Sequence, residues 1–145
     1  MARPLNDEEI ADLLTSDTVA RLATIDASGY RHVTPLWFLW ADRAFHFASD
    51  SGRPHLSRLQ ANPQVGLVID VEAEQRPDGQ RPNKQLRATG DATLCPDTEA
   101  VWTRRIWDKY IVVSEPTGEA TARLGDRQRV LIRIVPRRIV AVASV

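Results

Sequence analysis

A single cysteine, Cys95, occurs among 145 residues, so no disulfide can form within the chain and no pair of thiols is available for metal binding or exchange chemistry. Cys95 reads as a small residue at the end of a strand. Charge of one sign is not in surplus either: 19 Lys and Arg balance 19 Asp and Glu, which leaves no net positive field for nucleic-acid phosphates or anionic lipid. Neither nucleic acid nor a membrane is expected as a partner. The longest strongly apolar run, Leu36-Trp37-Phe38-Leu39-Trp40-Ala41, is far short of the roughly 20 residues that span a bilayer. The amino-terminal segment turns acidic at Asn6-Asp7-Glu8-Glu9, where an export signal needs an apolar stretch, and the expected compartment is the cytoplasm.

The chain also lacks a Gly-x-Ser-x-Gly elbow, a phosphate-cradling glycine loop with lysine, and a zincin histidine pair. His32, His46 and His55 fall on three different elements with no metal-ligand spacing. Protein-centred catalysis is not advertised, and no metal is expected.

What is present suits one globular domain spanning residues 1–145, with 43% hydrophobic and 26% charged residues excluding a disordered chain. Asn6 and Glu9 fit a capping box, and Ile10, Leu13 and Leu14 follow at helical spacing. From Val19 to Ile25 the pattern becomes that of a strand, closed by an Asp26-Ala27-Ser28-Gly29 hairpin in which Gly29 supplies a positive φ. A second strand is expected over Tyr30 to Trp40, at an edge or bulged because Pro35 cannot donate to a ladder. Ala44 to Ala48 should pair back on it.

Pro54 opens a short helix through Leu56 and Leu59 that stops at Asn62-Pro63. Val65 to Val71, apolar on both faces, reads as a central strand, and a polar loop runs from Glu72 to Asn83. Lys84 to Leu94 is a strand interrupted by Gly90, and Asp97 a credible cap for a helix from Thr98 to about Tyr110. After a loop carrying Pro116, Gly118 and Gly125 come two last strands, Arg129 to Val135 and Arg138 to Val145, hinged at Pro136. About seven short strands and three helices fit an antiparallel barrel with helices on its flanks, since closure removes exposed edges.

Two segments carry chemistry. Ser49-Asp50-Ser51-Gly52-Arg53-Pro54-His55-Leu56-Ser57-Arg58 places hydroxyls, a glycine and basic groups at the amino end of a helix. That is the physics of an anion site, in which helix amides and a forked guanidinium grip a phosphate. An ordinary solvated helix cap fits the same residues. The other segment, His32-Val33-Thr34-Pro35-Leu36-Trp37-Phe38, joins an interrupted ladder to two aromatics, so a flat heterocycle could lie against its backbone. Core filling by at least one of Trp37, Phe38 and Trp40 is the alternative, because neighbours on a strand face opposite ways.

The order and spacing of several weak motifs resemble the pyridoxamine-phosphate-oxidase-like split β-barrels, in particular the small actinobacterial branch that uses FMN or the deazaflavin coenzyme F420. The motifs are the Leu22-to-Gly29 hairpin, His32-to-Phe38, Phe47-Ala48-Ser49, the Arg53-to-Pro63 helix, Gly90-Asp91-Ala92-Thr93-Leu94 and Arg129-to-Ile139. The resemblance implies an FMN-binding split barrel, mainly β, that pairs as a homodimer with the cofactor at the subunit interface. One 145-residue barrel is too small to enclose a flavin alone. The ring would lie along Thr34, Pro35, Leu36 and Trp37, with His32 on the same strand and Ala48 and Ser49 flanking it.

By the same resemblance Arg53 matches a phosphate-binding position, and His55 stands where the family usually has lysine. A neutral imidazole donates one hydrogen bond but brings no fixed charge, so phosphate affinity would depend on pH, and Arg58 could compensate. Lys84 and Arg87 lie on a strand whose family counterpart faces the groove, which makes them candidates for an anionic tail or substrate; two solvated strand charges is the other reading. Balanced overall charge would then hide a cluster of Arg53, Arg58, Lys84 and Arg87 around one anionic cofactor.

The implied activity is hydride transfer between reduced F420, or FMN, and a small organic acceptor. A non-catalytic barrel carrying flavin, haem or another ligand is the rival, and an oxidase of pyridoxamine phosphate is a third reading. Selectivity is expected in the Glu72–Asn83 loop and around Trp107 to Gly125.

Overall fold

The computed structural model describes residues 2–111 and 128–144, so the loop carrying Pro116, Gly118 and Gly125, and the terminal Val145, lie outside the described residues. Helix α1 (Asp7–Thr15) starts as a capping box. Glu9 N donates to Asn6 Oδ1 at 2.9 Å and Asn6 N to Glu9 Oε2 at 3.0 Å, satisfying two amides that the first turn would leave open. Ahead of it a three-residue strand, β1 (Ala2–Pro4), adds to the last strand of the sheet. It has no β-forming pattern of its own and is held by pairing.

Strand β2 (Ala20–Ile25) and strand β3 (Arg31–Leu36) form the expected hairpin. The Asp26 carboxylate accepts from Ser28 N and Tyr30 N, and Gly29 takes a φ of 86° that favours glycine. Pro35 is tolerated because β3 is the outermost strand, paired only with β2. The anticipated single strand from Tyr30 to Trp40 is in fact two. β3 stops at Leu36, and β4 (Leu39–Ala41) begins after Trp37 and Phe38. Phe38 turns fully into the core there, while Trp37 stays part-exposed.

The turn at Asp42-Arg43 leads into β5 (Ala44–Asp50), which pairs with β4 as expected. Helix α2 (Pro54–Ala61) and the central strand β6 (Gln64–Glu72), flanked by β2 and β7, also match expectation. Strand β7 (Asn83–Pro96) is longer than its sequence suggests.

The last two expected strands are one, β8 (Arg129–Ser144), which runs straight through Pro136. The reason is on its neighbour. A bulge at Thr89/Gly90 sets Gly90 opposite Pro136 and leaves Arg137 without a cross-strand partner. A side chain at Gly90 would put its Cβ 2.8 Å from the Val135 carbonyl oxygen, so only glycine lets the two strands close over the proline.

All eight strands form one antiparallel sheet in the order β3-β2-β6-β7-β8-β5-β4, with β1 on β8. Long β8 pairs with β7 along its length, with β5 through its first half and with β1 at its end. The sheet curls into a split barrel around Leu22, Phe38, Phe45, Phe47, Ile69, Leu86, Ile132 and Ile134, all fully buried.

The third helix is also adjusted. A 3-10 turn over Thr98–Ala100 precedes α3 (Val101–Tyr110), and positive φ at Glu99 and Ala100 separates them. Asp97 still caps, but from a distance: its carboxylate accepts from Trp102 N, Thr103 N and Thr103 Oγ1 at 2.7–3.0 Å. Helix α3 packs mainly on β5. Among the described residues no helix is long and apolar enough to cross a membrane.

Candidate functional site

Where β3, β5, the start of β8 and the amino end of α2 meet, they enclose a cleft of about 490 Å³. Its walls are Thr34 and Leu36 from β3, Ala48 to Asp50 from β5, Arg53, His55 and Arg58 at α2, and Arg129. A second lobe of about 280 Å³ continues from it, sharing Leu36, Ala48 and Arg129 and adding Pro35, Trp37, Ile106 and Trp107. One groove therefore has a cationic end and an aromatic end.

Local chemistry explains the cationic end. The N-cap of α2 is Arg53, with no side-chain capping bond, and Pro54 begins the helix. The ordinary-cap reading of this segment thus lacks its defining contact, and the positive helix end faces the cleft uncompensated by a cap. The Arg53 side chain is 63% exposed, and its approach to Asp50 is a long 3.9 Å. Arg58 is anchored by one bond, Nε to Thr24 Oγ1 at 2.9 Å. It lines the same lobe.

His55 is buried beneath them, with Nε2 3.0 Å from Ser49 Oγ. The Ser49 hydroxyl donates to the Asp50 carbonyl at 3.1 Å, which leaves its oxygen to accept from a neutral His55. Burial pulls the His55 pKa below the usual histidine value, and Arg58 and Arg53 push the same way. The imidazole is thus an uncharged donor-acceptor in a cationic pocket.

Arg129 joins the two lobes. Its Nη1 donates to Asp50 Oδ1 at 2.7 Å and its Nε to Thr103 Oγ1 at 3.2 Å, while Thr103 Oγ1 itself donates to Asp97. A part-buried chain of polar contacts runs from the cap of α3 to the floor of the cleft. In the sequence Arg129 stands only at the start of a strand and of one family-like motif, with no role at the site. It lies 79 residues from Asp50, and only the β5–β8 register sets them opposite each other.

Of the residues expected at a site, the fold brings Thr34, Pro35, Leu36, Trp37, Ala48, Ser49, Arg53, His55 and Arg58 to this groove. Three are placed elsewhere within this chain. His32 Nε2 lies 2.8 Å from Asp26 Oδ2 and clasps the hairpin; the Asp26 carboxyl is held below its ordinary range, chiefly by that contact. Lys84 Nζ pairs with Glu9 at 3.1 Å. Arg87 lines a separate depression of about 340 Å³ with Thr89 and Arg138. Within one chain the arginines lining the groove are Arg53, Arg58 and Arg129. The outward alternation along β7 carries Arg87 away from the cleft.

His46 is also buried, stacked on Trp102 at 4.0 Å beneath α3, and burial lowers its pKa too. Both histidines have folded-state pKa values below the unfolded value of about 6.5. Below that pH the unfolded chain binds more protons than the folded one, so stability is expected to be full above about pH 6.5 and to fall as pH drops through and below it. Urea midpoints from about pH 8 to about pH 5 check this. A His55→Gln variant should show a shallower fall, and an equal fall would contradict the assignment.

The comparisons agree with this architecture. The sequence profile described as pyridoxamine 5'-phosphate oxidase matches residues 6–143. No curated protein matches the chain. Among solved structures, a FAD-binding protein from Mesorhizobium loti superposes with a TM-score of 0.70 at 22% identity, covering 100% of this chain and 99% of that one. A protein described as F420 reductase gives 0.63 at 22% identity, covering 88% and 93%. The FAD binding protein from Mycobacterium smegmatis gives 0.63 at 19% identity and covers 100% of both chains. The structural matches speak to the fold, and the profile match spans nearly all of its strands; the chain belongs to the pyridoxamine 5'-phosphate oxidase family.

Proposed function

We propose that this protein is a flavin- or deazaflavin-dependent oxidoreductase that passes hydride between reduced F420, or FMN, and a small organic acceptor. The observation that carries the reading is the single groove with a cationic end and an aromatic end. The donor set suits the group. Arg53, Arg58 and the amino end of α2 have the chemistry to hold a phosphate. Leu36, Trp37 and Trp107 offer flat apolar surface for a tricyclic ring, and Arg129 lies between the two ends. When bound, the cofactor supplies the hydride chemistry, and the protein binds, orients and keeps water out. The names of the structural relatives, two FAD-binding and one an F420 reductase, support a flavin-type ligand.

The proposal includes a homodimer. The groove is open along one side, and Val135 and Ile139 leave apolar surface exposed on β8. A second copy would complete the ring's enclosure and could bring Lys84 or Arg87 into reach of it. Sedimentation giving only monomer, with or without ligand, would remove that part.

Absorption titration with FMN, FAD and F420 tests the main reading, and saturable binding of at least one is expected. The reduced complex is then mixed anaerobically with quinone, enone, nitro and tetrapyrrole acceptors. Oxidation by any of them supports an enzyme. Binding without oxidation favours a carrier, and no binding by any of the three cofactors sinks the proposal.

A further inference from the structure

Strand pairing stops at Leu36 and resumes at Leu39, so the backbone of the intervening Trp37-Phe38 bend has no ladder to join. Its polar groups are bound instead by the far end of α3. Phe38 N donates to Tyr110 Oη at 3.2 Å, and Lys109 Nζ donates to Phe38 O at 2.9 Å. The Tyr110 hydroxyl in turn donates to Thr18 O at 2.8 Å, tying the bend to the entry of β2. The ring of Tyr110 lies parallel to Trp37, centroids 4.8 Å apart and planes within 4°. Lys109 Nζ also sits 3.6 Å above the centroid of Phe38, which is fully buried.

These contacts act on one residue that lines the groove. Trp37 walls the aromatic lobe, and neither Lys109 nor Tyr110 lines it. We infer that Lys109 and Tyr110 are positioning residues: together they clamp both polar groups of the Phe38 backbone and one face of Trp37, holding that indole as a preformed wall for a planar ligand. Three contacts on two adjacent residues leave the bend little freedom. A wall set before binding spares the ligand the cost of ordering it. Burial draws the Lys109 ammonium down to about 8, against the opposing pull of Asp17, which shows how far it has been withdrawn from water to reach the bend.

The part concerning the ligand rests on the proposed function; the part concerning the indole does not, and the test separates them. The protein is labelled with 5-fluorotryptophan, giving four fluorine signals for its four tryptophans, and Trp37 is assigned with Trp37→Phe. Tyr110→Phe removes the hydroxyl and its bonds to Phe38 N, Thr18 O and Lys109 Nζ, and keeps the ring. Lys109→Met keeps the stem and removes the donor, and it decides the matter if Tyr110→Phe does not fold.

In either variant the Trp37 signal is expected to broaden or split, while that of Trp102, stacked on His46 at the other end of α3, stays put. Lys109→Arg should restore the Trp37 signal. Affinity for FMN or F420 should fall about five- to tenfold, as loss of one or two hydrogen bonds supporting the wall implies, with affinity for inorganic phosphate unchanged.

An unchanged Trp37 signal in both variants overturns the inference whatever binds. So does equal disturbance of Trp102, which would mean general loosening of α3, and so does a disturbed Trp37 with wild-type cofactor affinity. If the wild-type protein binds no cofactor, the functional reading fails, and the fluorine signals still decide whether the clamp holds the indole.

Discussion

Arg53→Ala is expected to bind FMN or F420 about 10- to 100-fold more weakly than wild type, since a guanidinium-phosphate contact contributes about 1.5–3 kcal/mol. Arg53 stands at the N-cap of α2, beside the helix end that lacks a capping side chain, and shares the cationic lobe with Arg58 and His55. Riboflavin, which carries the ring without the phosphate, should bind both proteins alike. The melting temperature should not move, because the Arg53 side chain is 63% exposed and its ion pair with Asp50 is long. Titration of the two ligands against both proteins is the check. An equal loss for riboflavin would show that Arg53 supports the groove as a whole; no loss for either ligand would place the phosphate elsewhere.

For stability the largest effect is expected at Asp97, which does not line the groove. Its carboxylate is buried and accepts three hydrogen bonds from Trp102 and Thr103, and Thr103 passes the contact on to Arg129. Asp97→Ala strands two amides and a hydroxyl at the start of α3, a loss of about 3 kcal/mol or roughly 10 °C in melting temperature. Asp97→Asn keeps one side-chain acceptor and should lose less. Denaturant unfolding of the two variants measures the order, and Asn as damaging as Ala would mean that the charge, not the capping geometry, is what α3 requires. Because α3 carries Ile106 and Trp107 into the aromatic lobe, cofactor affinity should fall with Asp97→Ala as well.

The readings that matched the structure share a short range. The Asn6–Glu9 box, the Asp26–Gly29 turn, the Pro54 start of α2 and the edge position forced on Pro35 depend on residues within a few positions of one another. Capping, positive φ and a missing N–H act at that scale, so the residue types announce them. The nine groove residues named from the sequence fall within one stretch, residues 34–58, on β3 and the bend after it, on β5 and on α2 with its cap. Local motif order was enough to bring them together on paper.

The failures share long range. Pro136 looked like a break, yet Gly90 on the adjacent strand absorbs it. Tyr30 to Trp40 looked continuous, yet Lys109 and Tyr110, 71 and 72 positions away, claim the backbone of Phe38.

The opening deficits, with one thiol, no charge surplus and no long apolar run, were decided by composition alone and needed no fold. So were the local turns and caps, and the motif order that suggested a split barrel. Tertiary structure decided which cations share a pocket. Arg129 reaches the groove because β8 registers it against Asp50 on β5, a pairing across 79 residues. Side-chain alternation then turns Arg87 outward while long-range pairing brings Arg129 in, and neither outcome is encoded by a residue's immediate neighbours.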